Sequence, residues 1–146
     1  MENEIMSANV NTNSITSNHS MLPTTNAITA YCSMAASTKE DQKILFNAIS
    51  TPQFRIKDYI NTVINVKDVF IEPADMNRED GSVQTVPRIV LIDTEGKSYS
   101  ATSFGVYNAL SRLITICGKP TWPDGIAIRI KQVTNGKNNT LTFEMA

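Results

Sequence analysis

One histidine, two cysteines and one tryptophan are spread over 146 residues. Each scarcity removes a class of chemistry. The sole histidine, His19, sits in a polar N-terminal stretch, so no Ser/His/Asp or Cys/His set is expected. Cys32 and Cys117 cannot form a disulfide framework, and without further ligands they cannot hold zinc. Both are expected as reduced thiols, and neither a metal nor a cofactor is expected. No glycine-rich phosphate loop occurs. No apolar run approaches the roughly 18 residues of a membrane span. Glu2 and Glu4 stand where a secretory signal needs positive charge, so a cytoplasmic protein is expected. The carboxylates of Glu79-Asp80 and Asp93-Glu95 fall in turns, where they serve as turn formers rather than acid/base pairs. A non-catalytic protein is the expectation.

Charge is also scarce, at 18% of residues, but it is separated along the chain. Residues 97 to 146 carry six positive side chains (Lys97, Arg112, Lys119, Arg129, Lys131, Lys137) and two acids (Asp124, Glu144). The first 96 residues therefore hold seven positives and twelve acids, out of totals of 13 and 14. The basic part interleaves with Tyr99, Phe104, Tyr107, Trp122 and Phe143. Cations neutralise phosphates and flat rings stack on bases, so this mixture suits a groove for single-stranded nucleic acid.

Asn, Ser and Thr supply fifteen of the first thirty residues. Such a segment buries too little apolar surface to offset its ordering entropy. Residues 1–30 are expected as a flexible arm, either a solvated leader or a segment that orders on a neighbouring subunit. Residues 31–146 are expected as one domain. Ser37 and Glu40 predict a capping box for a short helix with an apolar stripe of Ile44, Leu45, Ala48 and Ile49, ended by Pro52. A long, bent first strand is expected over 59–71, with Ile60, Ile64, Val66 and Phe70 on one face. A polar loop, 73–82, leads to a second strand over 84–92, with Pro87 marking an edge or bulge. A tight turn, Asp93 to Gly96, precedes a third strand over 97–102. Thr102 or Ser103 then caps a helix whose buried face is Val106, Leu110, Leu113, Ile114 and Cys117, with Gly118 as its stop. Ile126, Ile128 and Ile130 alternate with Ala127, Arg129 and Lys131 in a fourth strand. After a hairpin loop containing Asn135-Gly136, Leu141, Phe143 and Met145 alternate in a fifth.

Three strands, a helix and two strands is the order of the OB-fold, a five-stranded β-barrel with its helix between strands three and four. The predicted class is mainly β, with the short N-terminal helix and the arm added. A generic five-stranded α+β roll fits the same order.

From about Asp93 to Met145 the chain resembles the small single-stranded-DNA-binding proteins of protein-primed Bacillus phages. The stretches that carry the likeness are Glu95-Gly-Lys-Ser-Tyr-Ser-Ala101, Ile128-Arg-Ile-Lys-Gln-Val-Thr-Asn-Gly-Lys137 and Leu141-Thr-Phe143. It is also similar to OB-fold DNA-binding proteins of Gram-positive conjugative plasmids. The resemblance implies a bacterial host and a role in replication or conjugative transfer. General bacterial proteins of this function carry an acidic tail after the last strand. None is expected here, which shifts weight to the N-terminal arm as a device for homo-oligomers.

In OB-folds the nucleic acid crosses strands two and three, between the loops joining strands one to two and four to five. That points to Arg88, Lys97 and Tyr99 on the face, and to Asn77, Arg78, Asn135, Lys137 and Asn138 in the loops. Arg129 and Lys131 project from strand four. Tyr99 would stack a base and the cations would hold phosphates, with weaker contact to duplex DNA or RNA through the same charges. Plainer uses stand beside these. Tyr99 fits a barrel rim, Arg129 and Lys131 a solvated face, and Lys137 a solubility cation. Trp122 fits a plug over the barrel end, Tyr107 a packing or surface residue, and Phe143 the core. The competing function is an interaction module whose arm docks on neighbours without DNA.

Overall fold

Apolar residues at every second position dominate the chain after Pro52. The computed structural model, which describes residues 28–146, is accordingly mainly β. The arm expected over residues 1–30 therefore lies, up to residue 27, outside the described residues. In chain order the elements are β1 (Tyr31–Cys32), α1 (Lys39–Ser50), β2 (Phe54–Arg55), a 3-10 turn (Ile56–Tyr59), β3 (Val63–Asn77), β4 (Val83–Asp93), β5 (Ser98–Thr102), α2 (Phe104–Cys117), β6 (Ile126–Asn135) and β7 (Asn138–Met145). The strands form one curled, half-barrel sheet in the order β2-β5-β4-β3-β6-β7, with β1 added on β3. With its two helices, this is consistent with an OB-like fold. No helix among the described residues is long and apolar enough to cross a membrane.

β3 is the spine. Its first residues, Val63 to Val66, pair with Arg129 to Ile126 of β6, and its remainder pairs with β4 as far as Asn77 opposite Val83. Between Val66 and Asp68 the register with β4 shifts. An extra residue at such a bulge bends the strand and resets its alternation. Ile64 and Val66 thus share the main core with Val69 and Ile71, and Phe70 turns to the opposite side. The single face predicted for Ile60, Ile64, Val66 and Phe70 breaks at this bulge.

The main core lies under α2. Val106, Tyr107, Leu110, Leu113 and Ile114 pack on Ile89, Leu91, Ile128 and Ile130. Cys117, expected on that buried face, is exposed at the helix end. Ser103 Oγ accepts the Val106 N–H at 3.1 Å and starts the helix. Gly118, at φ 87°, stops it. Gly105 lies so close to β7 that a Cβ there would sit 2.0 Å from the Leu141 carbonyl oxygen. Trp122 is buried, its Nε1 donating to the Gly118 carbonyl at 3.1 Å.

A second cluster lies on the other side of the sheet. Ala48, Ile44 and Leu45 of α1 cover Phe70, Val90 and Ile92. The middle of β4 is therefore buried on both faces, which explains its unbroken apolar run from Ile89 to Ile92. Thr38, one residue later than the predicted cap, accepts the Asp41 N–H at 3.1 Å and opens α1.

Pro73 and Pro87 stand directly opposite each other in the β3–β4 ladder. Neither has an N–H, so both fit a pair that exchanges no backbone hydrogen bond. β5 stops pairing at Arg88, and on that side Pro87, which has no N–H to leave unpaired, only accepts the Ser103 N–H at 3.2 Å.

Candidate nucleic-acid interface

Pro52 ends α1, and the next nine residues build an aromatic edge. Gln53 N–H donates to Ser98 Oγ at 3.0 Å, and Ser98 N–H donates to Gln53 Oε1 at 3.3 Å. These bonds seat β2 parallel to β5, with Phe54 beside Tyr99 and Arg55 beside Ser100. The Phe54 and Tyr99 rings stack at 5.2 Å between centroids. Ile56, fully buried, anchors the 3-10 turn that swings Tyr59 back onto them. Tyr59 meets Phe54 edge-on at 5.5 Å and Tyr99 edge-on at 5.2 Å.

Tyr99 is the inner member of this trio, only 7% exposed, while Phe54 and Tyr59 are half-buried. Its hydroxyl donates to Asp93 Oδ2 at 3.0 Å. Asp93 Oδ1 accepts the N–H groups of Glu95 and Lys97, each at 2.9 Å, and so shapes the β4–β5 turn. Burial, and then the bond to Asp93, push the Tyr99 hydroxyl well above the usual tyrosine range, so it remains a donor. Lys97 is exposed on the turn with Glu95 at 3.1 Å. The hydrogen bond and the charge of Glu95 raise its pKa, which keeps the ammonium charged.

Beyond Tyr59 the chain turns onto β6. Asn61 has φ 67°, a conformation that asparagine tolerates better than most residues. Its N–H donates to the Ile130 carbonyl at 2.6 Å, and its Oδ1 accepts from Lys131 Nζ at 3.4 Å. On the same outer face of β6, Arg129 pairs with Glu144 of β7 at 3.4 Å.

The structure thus brings Lys97 and Tyr99 together at one edge, while Lys131 reaches Asn61, two residues beyond Tyr59, and Arg129 lies with Lys131 on the outer face of β6, opposite the core residues Ile128 and Ile130. The hairpin residues lie apart. Arg78 is exposed in the β3–β4 turn, where its N–H donates to the Ser82 carbonyl at 2.8 Å. Asn77 ends β3 and is exposed. Asn135 pairs with Asn138 across the β6–β7 hairpin, leaving Gly136 and Lys137 as its two-residue turn. β6 is antiparallel to β3, so the two hairpins run out in opposite directions along β3.

Arg88 is placed differently. Its Nη1 donates to Glu72 Oε2 at 2.9 Å, and its Nη2 donates to the Ile49 carbonyl near the end of α1 at 2.7 Å. It ties α1 down over the outer face of β3 and β4. That is the face over which OB-folds take nucleic acid, and here Val90 and Ile92 are sealed beneath the helix.

Sequence reasoning passed over Phe54, Tyr59, Asn61, Arg55 and Lys57. The segment Gln53-Phe-Arg-Ile-Lys-Asp-Tyr59 did hold a signal: two aromatics and two cations around one isoleucine. A two-residue strand that pairs 45 positions away has no periodicity to detect.

Aromatic surface beside exposed cations can stack bases and hold phosphates. Among the described residues, no group of three or more His, Cys, Asp and Glu is placed to hold a metal ion. No curated protein and no solved structure matches the chain. A family model described as Phage Single-stranded DNA-binding protein matches residues 24–146, which takes in the aromatic edge, both hairpins and the whole sheet. The chain belongs to this family of phage single-stranded DNA-binding proteins.

Proposed function

We propose that the chain coats single-stranded DNA without catalysis and with little sequence preference, in phage or plasmid replication or in conjugative transfer. The observation that carries this reading is the trio of Phe54, Tyr59 and Tyr99, with Lys97 on the adjoining turn and Lys131 held by Asn61 two residues beyond Tyr59. Family membership supports DNA as the ligand. Phe54 and Tyr59 present their rings to bases, and Tyr99 backs Phe54 from within. Lys97, Arg129 and Lys131 hold phosphates. Arg78, Asn135 and Lys137 extend the track at its two ends. Arg88 serves it indirectly by keeping α1 over β3 and β4. Stacking tolerates every base because every base has a π-face, so specificity is low. The N-terminal arm, residues 1–30, links neighbouring copies, and the host cytoplasm is the setting. Duplex DNA and RNA bind more weakly through the same cations.

The test is fluorescence anisotropy with a labelled mixed-sequence single strand, titrated at several salt concentrations beside matched duplex and RNA. The five cations along the track, Lys97, Arg129, Lys131, Arg78 and Lys137, predict a slope of about −3.5 in log affinity against log salt. Absence of binding at low salt, or equal binding of duplex and single strand, would overturn the reading.

A further inference from the structure

Two parts of the sheet leave its body as bare two-stranded ribbons. β5 pairs with β4 only as far as Arg88, and β1 touches β3 only at Phe70 and Ile71. Val86 and Pro87 are still buried, but from Asp75 opposite Thr85 out to the turn at Arg78 the β3–β4 ribbon has no strand on either side among the described residues. β6 likewise leaves the spine after Arg129, and every residue from Gln132 to Thr140 is exposed. Isolated ribbons of this kind are marginal in water, and their open backbone edges are templates for pairing. Each ribbon also exposes apolar side chains: Met76 at 44% and Val83 at 60% on one, Val133 at 52% on the other.

Their charges are complementary. The first ribbon carries Asp75, Glu79 and Asp80 against Arg78. The second carries Lys131 and Lys137, in a stretch with no acid between Asp124 and Glu144. Asp80 accepts both the N–H and the hydroxyl of Ser82, which lowers its pKa and keeps it ionised.

We propose that the β3–β4 ribbon of one chain docks on the β6–β7 ribbon of a second copy. Edge meets edge, and Val83, on the same ribbon face as Asp75, meets Val133, on the same face as Lys131, so that carboxylate meets ammonium beside the apolar pair. The two surfaces differ and run out in opposite directions, so the contact is head-to-tail and leaves a free ribbon at each end. Contacts of that type build open rows rather than closed pairs. This docking belongs to the protein without nucleic acid, so it stands or falls separately from DNA binding.

Charge reversal tests it on the full chain, without DNA, by sedimentation velocity. One variant, Asp75→Lys with Glu79→Lys, makes both ribbons basic. The other, Gln132→Glu with Lys137→Glu, makes both acidic. The wild type should self-associate at low ionic strength and dissociate toward 1 M salt, where screening acts beyond about 3 Å. Each variant alone should associate at least about tenfold more weakly. An equimolar mixture should recover association to within about threefold of the wild type, because each ribbon then meets its opposite (a tenfold change is about 1.4 kcal/mol). Association of either variant at wild-type strength would overturn the proposal. So would a mixture no better than its components, or a wild-type mass that ignores salt.

Discussion

Truncating Tyr59 to alanine separates what the aromatic trio does for DNA from what it does for the fold. Tyr59 is half-buried and touches its two partners edge-on, at 5.5 and 5.2 Å. Aromatic pairs contribute about 0.5–1.5 kcal/mol each, so Tyr59→Ala should cost ~1–3 kcal/mol of stability. For a domain of this size that lowers Tm by roughly 4–12 °C. The stack between Phe54 and Tyr99 remains. If Tyr59 presents its ring to a base, the variant also loses ~1–3 kcal/mol of binding, about 5- to 150-fold in Kd. Tyr99→Ala behaves in the opposite order. Tyr99 is in the main core and its hydroxyl is bonded to Asp93. Its truncation leaves a cavity, ~3–5 kcal/mol, and strips a donor from a buried carboxylate, ~1–3 kcal/mol. That is a large share of a typical stability of about 5–15 kcal/mol. Thermal melts followed by circular dichroism rank the two variants, and anisotropy measured well below both melting points compares binding. A folded Tyr59→Ala variant that binds within twofold of wild type would refute the placement of the DNA. Equal melting points for the two variants would refute the assignment of Tyr99 to the interior.

Gly105→Ala should destabilise by about 1–3 kcal/mol, because its Cβ would meet the Leu141 carbonyl oxygen at 2.0 Å and push α2 off β7; a denaturation midpoint equal to wild type contradicts that packing. Arg88→Met removes the bonds to Glu72 and to the Ile49 carbonyl, an expected loss of ~1–3 kcal/mol. Hydrogen exchange should then quicken in residues 39–50 more than in α2, and uniform exchange would deny Arg88 its hold on α1. Burial raises the hydroxyl pKa of Tyr31, Tyr99 and Tyr107. The native state therefore keeps these protons more tightly than the unfolded chain does. Their contribution is complete below the unfolded tyrosine value of about 10 and is lost as pH rises past it. Burial likewise raises the Cys32 thiol, so urea midpoints should hold steady from pH 7 to about 8, begin to fall as cysteine titrates in the unfolded chain and fall further above about 10; a midpoint that rises there would reverse the sign.

Much of the backbone is written in short-range chemistry. Ser103 and Gly118 bound α2, Asp93 to Gly96 folds the β4–β5 turn, and Gly136 turns the β6–β7 hairpin, each through residues within a few positions of one another. Alternating isoleucines mark β6, and the crowding of cations after residue 96 is a property of the chain alone. The likeness of the last fifty residues to phage single-stranded DNA-binding proteins was also legible there, and the family match extends it to residues 24–146.

What only tertiary structure decided is which side of each strand meets which neighbour. The bulge at Val66 and Asp68 exchanges the faces of β3, so Phe70 lies under α1 and not in the main core. A period-two pattern cannot show such a shift, since one inserted residue inverts every later position. α1 then covers the outer face of β3 and β4, and Arg88 is drawn into fastening it. The aromatic trio exists because Phe54 pairs with a strand 45 positions away, which brings Tyr59 onto Tyr99. Caps, turns and charge act over a few residues and can be read along the chain. Pairing across long loops, and the burial it imposes, depends on the packing of the whole sheet.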